Sequence, residues 1–290
     1  MALELVFLGS GTSAGIPMVG CGCDVCRSDD PRDQRDRPSV LIRYPDDSLR
    51  VDSKHAEFNP KQASHRQILI DTAPEMRQQM IRESISRLDA VIYTHAHADH
   101  TFGLDDLRRF NVTMDTALDV YGEPAVIDQL KSTFRYVFEP HTNVNKKSFV
   151  ANLIAHTIDT ETPLDFHGAT WTPLRLLHGR LPILGYRIDF AGRSIAYCTD
   201  VSTIPPETYP KLEGLDVLVL DALRYRHHPT HLTVDRAVEI IEQLQPKQAY
   251  LTHIAHDISH AELSTRLPDG VALAYDGLTI ELSPVDSPIG

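Results

Sequence analysis

Residues 91–103, VIYTHAHADHTFG, decide how this chain is read. His95, His97, Asp99 and His100 crowd in directly behind an apolar run. A strand entering a core ends in that many polar groups at a steep desolvation cost unless something binds them. On an extended backbone His95 and His97, two apart, point the same way and can share one ion. Asp99 and His100 follow where the chain is expected to turn into a helix, and can face a second ion beside the first. Neither pair closes a coordination sphere, so partners must come from elsewhere. His178 after WTPLRLL, Asp200 ending IAYCTD and His253 ending AYLTH are the candidates. Each stands at the end of an expected strand, where α/β sheets gather ligands. Taken singly, such a histidine is as readily a hydrogen-bonded surface group, and such an aspartate a helix cap.

Working outward, short β-branched and aromatic runs recur: ELVFLGS, SVLIRY, QILIDT, LGYRIDF, RSIAYCTD, LDVLVLDA, QAYLTHI and GLTIEL. They predict strands, several apolar enough to be buried on both faces. Pro124 opens a segment with Val126, Leu130, Phe134 and Val137 on one helical face. Thr233 is placed to cap a helix whose Ala237, Ile240, Ile241 and Leu244 form one stripe. Strands interleaved with helices predict a layered α/β fold, expected as a single domain over residues 1–290. Residues 45 to 66 look like a surface excursion in which His55 and His65 are simply solvated.

Composition is that of an ordinary globular protein: 290 residues, 42% hydrophobic and 23% charged. No apolar run is long enough to span a membrane. The opening MALELVFLGS, with Glu4 inside it, reads as a strand rather than a signal peptide, so the expected compartment is the cytoplasm. A formal charge of −12 argues against a broad nucleic-acid surface, although RDQRDR and RYRHH are local basic patches. It does not exclude an anionic substrate, because bound metal can dominate its own site.

HAHADH followed downstream by His, Asp and His resembles the metallo-β-lactamase superfamily of binuclear hydrolases. The resemblance covers nearly the whole chain and implies a four-layer αββα sandwich with the metals at one sheet edge. It assigns His95, His97 and His178 to one ion, Asp99, His100 and His253 to the other, and Asp200 to a bridge between them. Zinc, manganese and iron all suit such imidazole and carboxylate ligands.

Cys21, Cys23 and Cys26 in CGCDVC are three of the four cysteines, one ligand short of a tetrahedral zinc site. A tight turn of reduced thiols is the alternative, and His256 is a candidate for the missing ligand. From residue 11 to residue 39, GTSAGIPMVGCGCDVCRSDDPRDQRDRPS is similar to the phosphoribosyl cyclic phosphate phosphodiesterases of the carbon–phosphorus lyase pathway. That resemblance implies a structural zinc on Cys21, Cys23, Cys26 and His256. It also gives His231 the place of a catalytic histidine that is not a ligand. Asp71, ending QILID, is placed to orient a ligand histidine from behind. GSGTSAG is read first as a flexible turn, with approach to a phosphate as the other option. Cys198 reads as a core residue, while His227, His228 and His260 read as surface groups.

Two divalent ions outweigh Asp99, Asp200 and a bridging hydroxide, leaving the pocket near about +1 and open to an anionic phosphodiester. The expected activity is hydrolysis of a small cyclic phosphodiester, which the resemblance implies is a phosphoribosyl cyclic phosphate, with that hydroxide as nucleophile and His231 protonating the leaving oxygen. A tRNA 3′-processing endonuclease, a thioester or lactam hydrolase, and a metal-stabilised binding protein are the rivals. No segment resembles the basic arm with which the first grips tRNA. A homodimer is left open by the sequence.

Overall fold

The computed structural model describes residues 2–49, 61, 64–139 and 150–285. Strands β1 (Leu3–Gly9), β2 (Ser39–Pro45), β3 (His65–Ile70), β4 (Ala90–Ile92), β5 (Leu118–Gly122) and β6 (Leu153–Thr157) lie side by side in that order. A second sheet carries β7 (Leu164–Phe166), β8 (Ala169–His178), β9 (Leu181–Phe190), β10 (Arg193–Cys198), β11 (Val217–Asp221), β12 (Gln248–Thr252) and β13 (Val271–Leu273), again in sequence order. Strand β14 (Thr279–Leu282) returns to the first sheet and pairs antiparallel with β1. The two sheets repeat one plan, antiparallel at one side and parallel at the other: β3–β6 run parallel in the first, β10–β13 in the second.

Alternation explains the sandwich. Leu3, Leu5 and Phe7 of β1 point between the sheets, beside Tyr44, Trp171, Tyr186 and Tyr197. Val6 and Leu8, on the other face, join a second cluster with Met76, Leu107, Phe110 and Ile127. Those four come from α1 (Met76–Arg82), a short 3₁₀ turn (Leu104–Leu107), α3 (Arg108–Met114) and α4 (Pro124–Thr133), which cover the first sheet; α2 (Ala98–Thr101) precedes that turn. Every residue of β1 is therefore buried, which is why its sequence is apolar apart from Glu4, whose carboxylate is paired with Lys61 and Arg43. The expected four-layer αββα arrangement is the observed one.

On the outer face of the second sheet lies α6 (Val234–Leu244). Thr233 caps it by accepting from the Arg236 N–H at 3.2 Å. Val234, Ala237, Ile240 and Ile241 are its buried stripe, and each large aliphatic there contributes about 1.5–3 kcal/mol by leaving water. The Pro124 segment departs from expectation. Phe134, at φ −109° and ψ 48°, interrupts it, and α5 (Arg135–Phe138) follows as a separate turn. Leaving helical dihedrals lets the buried Phe134 ring meet Phe102 edge to face, 6.2 Å between centroids.

Much of the excursion expected over residues 45 to 66, His55 included, lies outside the described residues. Its ends pair, Pro45 with His65, so it leaves and rejoins the sheet at one point. His65 is half-buried rather than simply solvated, and its Nδ1 donates to the Lys61 carbonyl at 3.1 Å. No helix among the described residues is long and apolar enough to cross a membrane.

Candidate metal centre

The carboxyl ends of β3, β4, β8, β10, β11 and β12 meet at one edge of the sandwich, and the expected donors lie there. Past β4 the chain runs extended through His97 (φ −65°, ψ 155°) and then turns into α2, which carries Asp99 and His100. Immediately beyond β3, Asp71 is wholly buried. Its carboxylate accepts from the Thr94 N–H and hydroxyl, both at 2.8 Å, and from His100 Nδ1 at 2.7 Å. That fixes the His100 tautomer and aims Nε2 inward, the orienting role expected of Asp71.

His100 Nε2 and His253 Nε2 are buried and make no hydrogen bond, although Asp200 oxygens stand 3.1 and 3.3 Å away. Asp99 Oδ2 lies 3.4 Å from the first and 3.8 Å from the second. All four ligand atoms of Asp99, His100, Asp200 and His253 fall within 4.8 Å of one another. Orphaned imidazole nitrogens facing two buried carboxylates are what a cation site offers, so this donor set fits a divalent ion. The electrostatics agree. Burial opposes charge on His100, yet Asp200, Asp99 and Asp71 outweigh it and hold its pKa well above the usual histidine range. Burial likewise opposes ionisation of Asp200, and His253 and His100 overcome it, keeping that carboxyl well below the usual range. The pocket draws in positive charge.

A second group of donors adjoins the first. The rings of His95 and His97 are 4.6 Å apart between centroids, and His178 lies 5.7 and 5.2 Å from them. Burial pushes the His95 pKa well down, leaving it a neutral donor. His178 Nδ1 donates to the Asp200 carbonyl at 3.1 Å, which frees its Nε2. Asp200 stands between the groups. Asp71, Asp200 and His253 all turn the chain with positive φ, at 62°, 58° and 61°.

His231 sits beside these donors, its ring stacked on His253 at 4.7 Å between centroids. It donates through Nδ1 to Asp221 Oδ2 at 3.0 Å. The same oxygen accepts from the Val201 and Leu232 N–H groups at 3.0 and 3.2 Å. Asp221 is thus the residue that sequence reasoning overlooked. Its signal was available: LDVLVLD ends a buried strand in an aspartate, as QILID does at Asp71.

The cysteine loop closes on the same region. Cys21, Cys23 and Cys26 Sγ lie 3.2, 3.4 and 3.9 Å from His256 Nδ1. A tetrahedral zinc with usual bond lengths separates sulfur from nitrogen by about 3.6 Å, so the four donors fit one ion. The Cys26 N–H and His256 bring the Cys23 thiol down to about 6, whereas burial takes Cys26 up to about 11. Arg35 sews the loop to the segment that follows β12, donating to the Ala255 and Ile258 carbonyls at 3.3 and 3.0 Å. GSGTSAG takes its structural reading: Gly11 bridges to Ile254, and a Cβ there would meet the Arg35 carbonyl at 2.8 Å. His260 is buried rather than a surface group, because its N–H donates to Asp33 Oδ1 at 2.8 Å and its ring meets Tyr275. His227 is exposed, His228 half-buried and Cys198 fully buried.

Residues 66–254, well over half of the chain, match the beta-lactamase superfamily domain. A crystal structure described as a new diphosphatase from the PhnP family is 39% identical with a TM-score of 0.82, covering 97% of this chain and 98% of that one. An octanoyltransferase of Porphyromonas gingivalis (strain ATCC BAA-308 / W83) is 36% identical over 280 residues, covering 95% of this chain and 51% of its own. The chain thus spans about half the length of that relative. A ribonuclease Z of Gloeothece citriformis (strain PCC 7424) is 26% identical over 289 residues, covering 81% and 77%.

Proposed function

The chain belongs to the β-lactamase superfamily, and from that premise we propose that it is a metal-dependent hydrolase that cleaves a small phosphodiester of a ribose. The observation that carries this reading is the buried quartet Asp99, His100, Asp200 and His253 with His231 stacked against it on the Asp221 carboxylate. His95, His97 and His178 would hold one divalent ion, Asp99, His100 and His253 the other, with Asp200 between them. Such a pair makes water nucleophilic near neutral pH and offsets charge on phosphoryl oxygens.

The protein's own groups do the rest. Asp71 and the Asp200 carbonyl hold Nδ1 of His100 and His178, so each ring already aims Nε2 at the ion site, and His100 would give up its Nε2 proton as an ion binds. Asp221 keeps the His231 proton on Nδ1, which leaves Nε2 to exchange a proton with the departing ribose oxygen. Cys21, Cys23, Cys26 and His256 would bind a structural zinc three residues from His253, anchoring that ligand's strand end. Reduced thiols suit the cytoplasm.

Nucleic acid suits this surface less well. Of the expected basic patch RDQRDR, Arg35 is buried on Asp33, Arg37 pairs with Glu75 and Arg32 with Asp30. A second reading, acyl hydrolysis, draws on the octanoyltransferase relative, whose other half lies beyond the match. Phosphorus NMR of a phosphoribosyl cyclic phosphate with metal-loaded protein tests the first reading, Asp200→Ala being the control. Ring opening by the native protein alone supports it. An unchanged diester beside hydrolysis of an octanoyl thioester would transfer the assignment to the second.

A further inference from the structure

On the outer face of the first sheet, a groove of about 750 Å³ lies between α1 and α3, within the size range of small-molecule sites. Its floor is apolar and closely packed. Met76, Met80, Ile85 and Phe110 are buried there, in one cluster with Val6 and Leu8 of β1. The walls rise into water instead: Ile81 is 60% exposed and Val112 43%. Large aliphatics left open above a packed floor mark a face with a ligand to cover it. One end of the groove is closed. Thr113 Oγ1, in the last turn of α3, donates at 3.1 Å to the carbonyl of Ser86, just past α1, and so joins the far ends of the two helices. Each helix spans seven residues, about 10 Å, so the trough between them is short.

The other end is cationic. Arg77 begins α1 beside Met76, and Arg108 and Arg109 begin α3. All three are exposed. The side chains of Arg77 and Arg109 make no hydrogen bond or ion pair among the described residues. Arg108 meets only Asp105, at 3.3 Å, in a pair that solvent screens. Asp106 is the single acid lining the groove, so three arginines face one carboxylate in a chain whose formal charge is −12. An apolar trough with surplus positive charge at its mouth complements a molecule that has an apolar tail and an anionic head. The two methionines of the floor add to the fit, since an unbranched thioether adapts to a flexible chain.

We propose that the groove between α1 and α3 binds a free medium-chain carboxylate, with its tail along Met76, Met80, Ile85 and Phe110 and its head on Arg77 and Arg109. A guanidinium fork matches the two carboxylate oxygens with paired N–H donors. A trough about 10 Å long takes a tail of medium rather than long chain length. Seating that tail also covers Ile81 and Val112, so apolar surface leaves water on both partners. The site shares no residue with the candidate metal ligands and stands whichever ester is cleaved there.

The test is calorimetric titration of the metal-loaded protein with decanoate. Native protein binds one equivalent, and in the double variant Arg77→Ala, Arg109→Ala the affinity falls about 10- to 100-fold, as losing charge-assisted hydrogen bonds implies. Both positions are exposed, so Tm stays where it was. Ile81→Glu, also exposed, weakens decanoate by setting a like charge on the wall beside the tail. Butyrate, with the same head and a shorter tail, binds far more weakly. Decyltrimethylammonium, with the same tail and a cationic head, binds native protein no better than it binds the double variant. Equal decanoate affinity in native protein and the double variant overturns the site. Binding that Asp200→Ala abolishes and the arginine variant spares is ligation of the metal ions, and overturns it too. If phosphatidylglycerol vesicles bind through these arginines while free decanoate does not, the groove is a membrane contact and the proposal falls.

Discussion

Replacing Asp221 asks whether His231 acts as an acid or merely fills space. Its Oδ2 gathers Val201 N–H, Leu232 N–H and His231 Nδ1 within 3.2 Å, in a fully buried position. Asp221→Ala strands two backbone donors away from water at about 1–3 kcal/mol each, so a loss of roughly 3–5 kcal/mol is expected and the variant folds marginally. Asp221→Asn is the sharper tool. Its amide oxygen still accepts where Oδ2 did, and exchanging a charged for a neutral acceptor costs about 1–2 kcal/mol. The ring, however, loses the charge that holds its proton on Nδ1. General acid–base help is typically worth about 10²–10⁴ in rate, so kcat for a diester with a poor alkoxide leaving group falls about 10²-fold or more. A p-nitrophenyl diester, whose leaving group needs no proton, falls far less. The assay is kcat on both diesters for Asp221→Asn, His231→Ala and the double variant, with metal content checked. The double should match His231→Ala alone, since the two groups act as a unit. Equal losses on both diesters, or additive ones in the double, would refute the acid role and leave Asp221 a scaffold.

Other sites yield separate expectations. Cys26→Ser should lose one equivalent of zinc by elemental analysis and lower Tm; an unchanged zinc count would remove that site from the account. Asp71→Asn should weaken metal binding about 10- to 100-fold in a chelator competition, because His100 loses the partner that orients it. Asp276 accepts from Ser10 N–H and hydroxyl and from Asp36 N–H, yet burial pushes its carboxyl up to about 7. In the unfolded chain it ionises near about 4, so folding stability is full below that pH and declines as pH rises through 7. The shift amounts to roughly 4 kcal/mol, and urea titrations from pH 4 to 8 should lose that slope in Asp276→Asn.

The candidate donors were legible because a metal centre would demand particular side chains at particular spacings, and HAHADH places four of the seven candidates on six consecutive residues. Strands β1 to β3 were legible because each carries a run of consecutive apolar residues buried on both faces, at positions 5–8, 40–42 and 68–70. Strands β6, β7 and β13 were not: each is an edge strand that buries few of its residues, and its pattern blurs into loop. The break at Phe134 was invisible for a different reason, since apolar spacing continues through it and the Phe102 contact that accompanies the turn leaves no mark in a local pattern. Asp221 lay hidden because an aspartate ending a strand looks the same whether water or a histidine receives it.

The positive φ values at Asp71, Asp200 and His253 bear on how far such a centre can be redesigned. A left-handed backbone costs most side chains about 1–2 kcal/mol, and aspartate, asparagine and histidine tolerate it better than others. The residue types wanted for coordination are here also among the few that the backbone accepts. Glutamate at 200, or a β-branched residue at 253, therefore meets a conformational barrier before any question of coordination arises. An engineer seeking a different metal preference has more freedom at His95, His97 and His178, which carry no such handedness. The edge of the sandwich thus divides into positions open to chemical variation and positions closed by chirality.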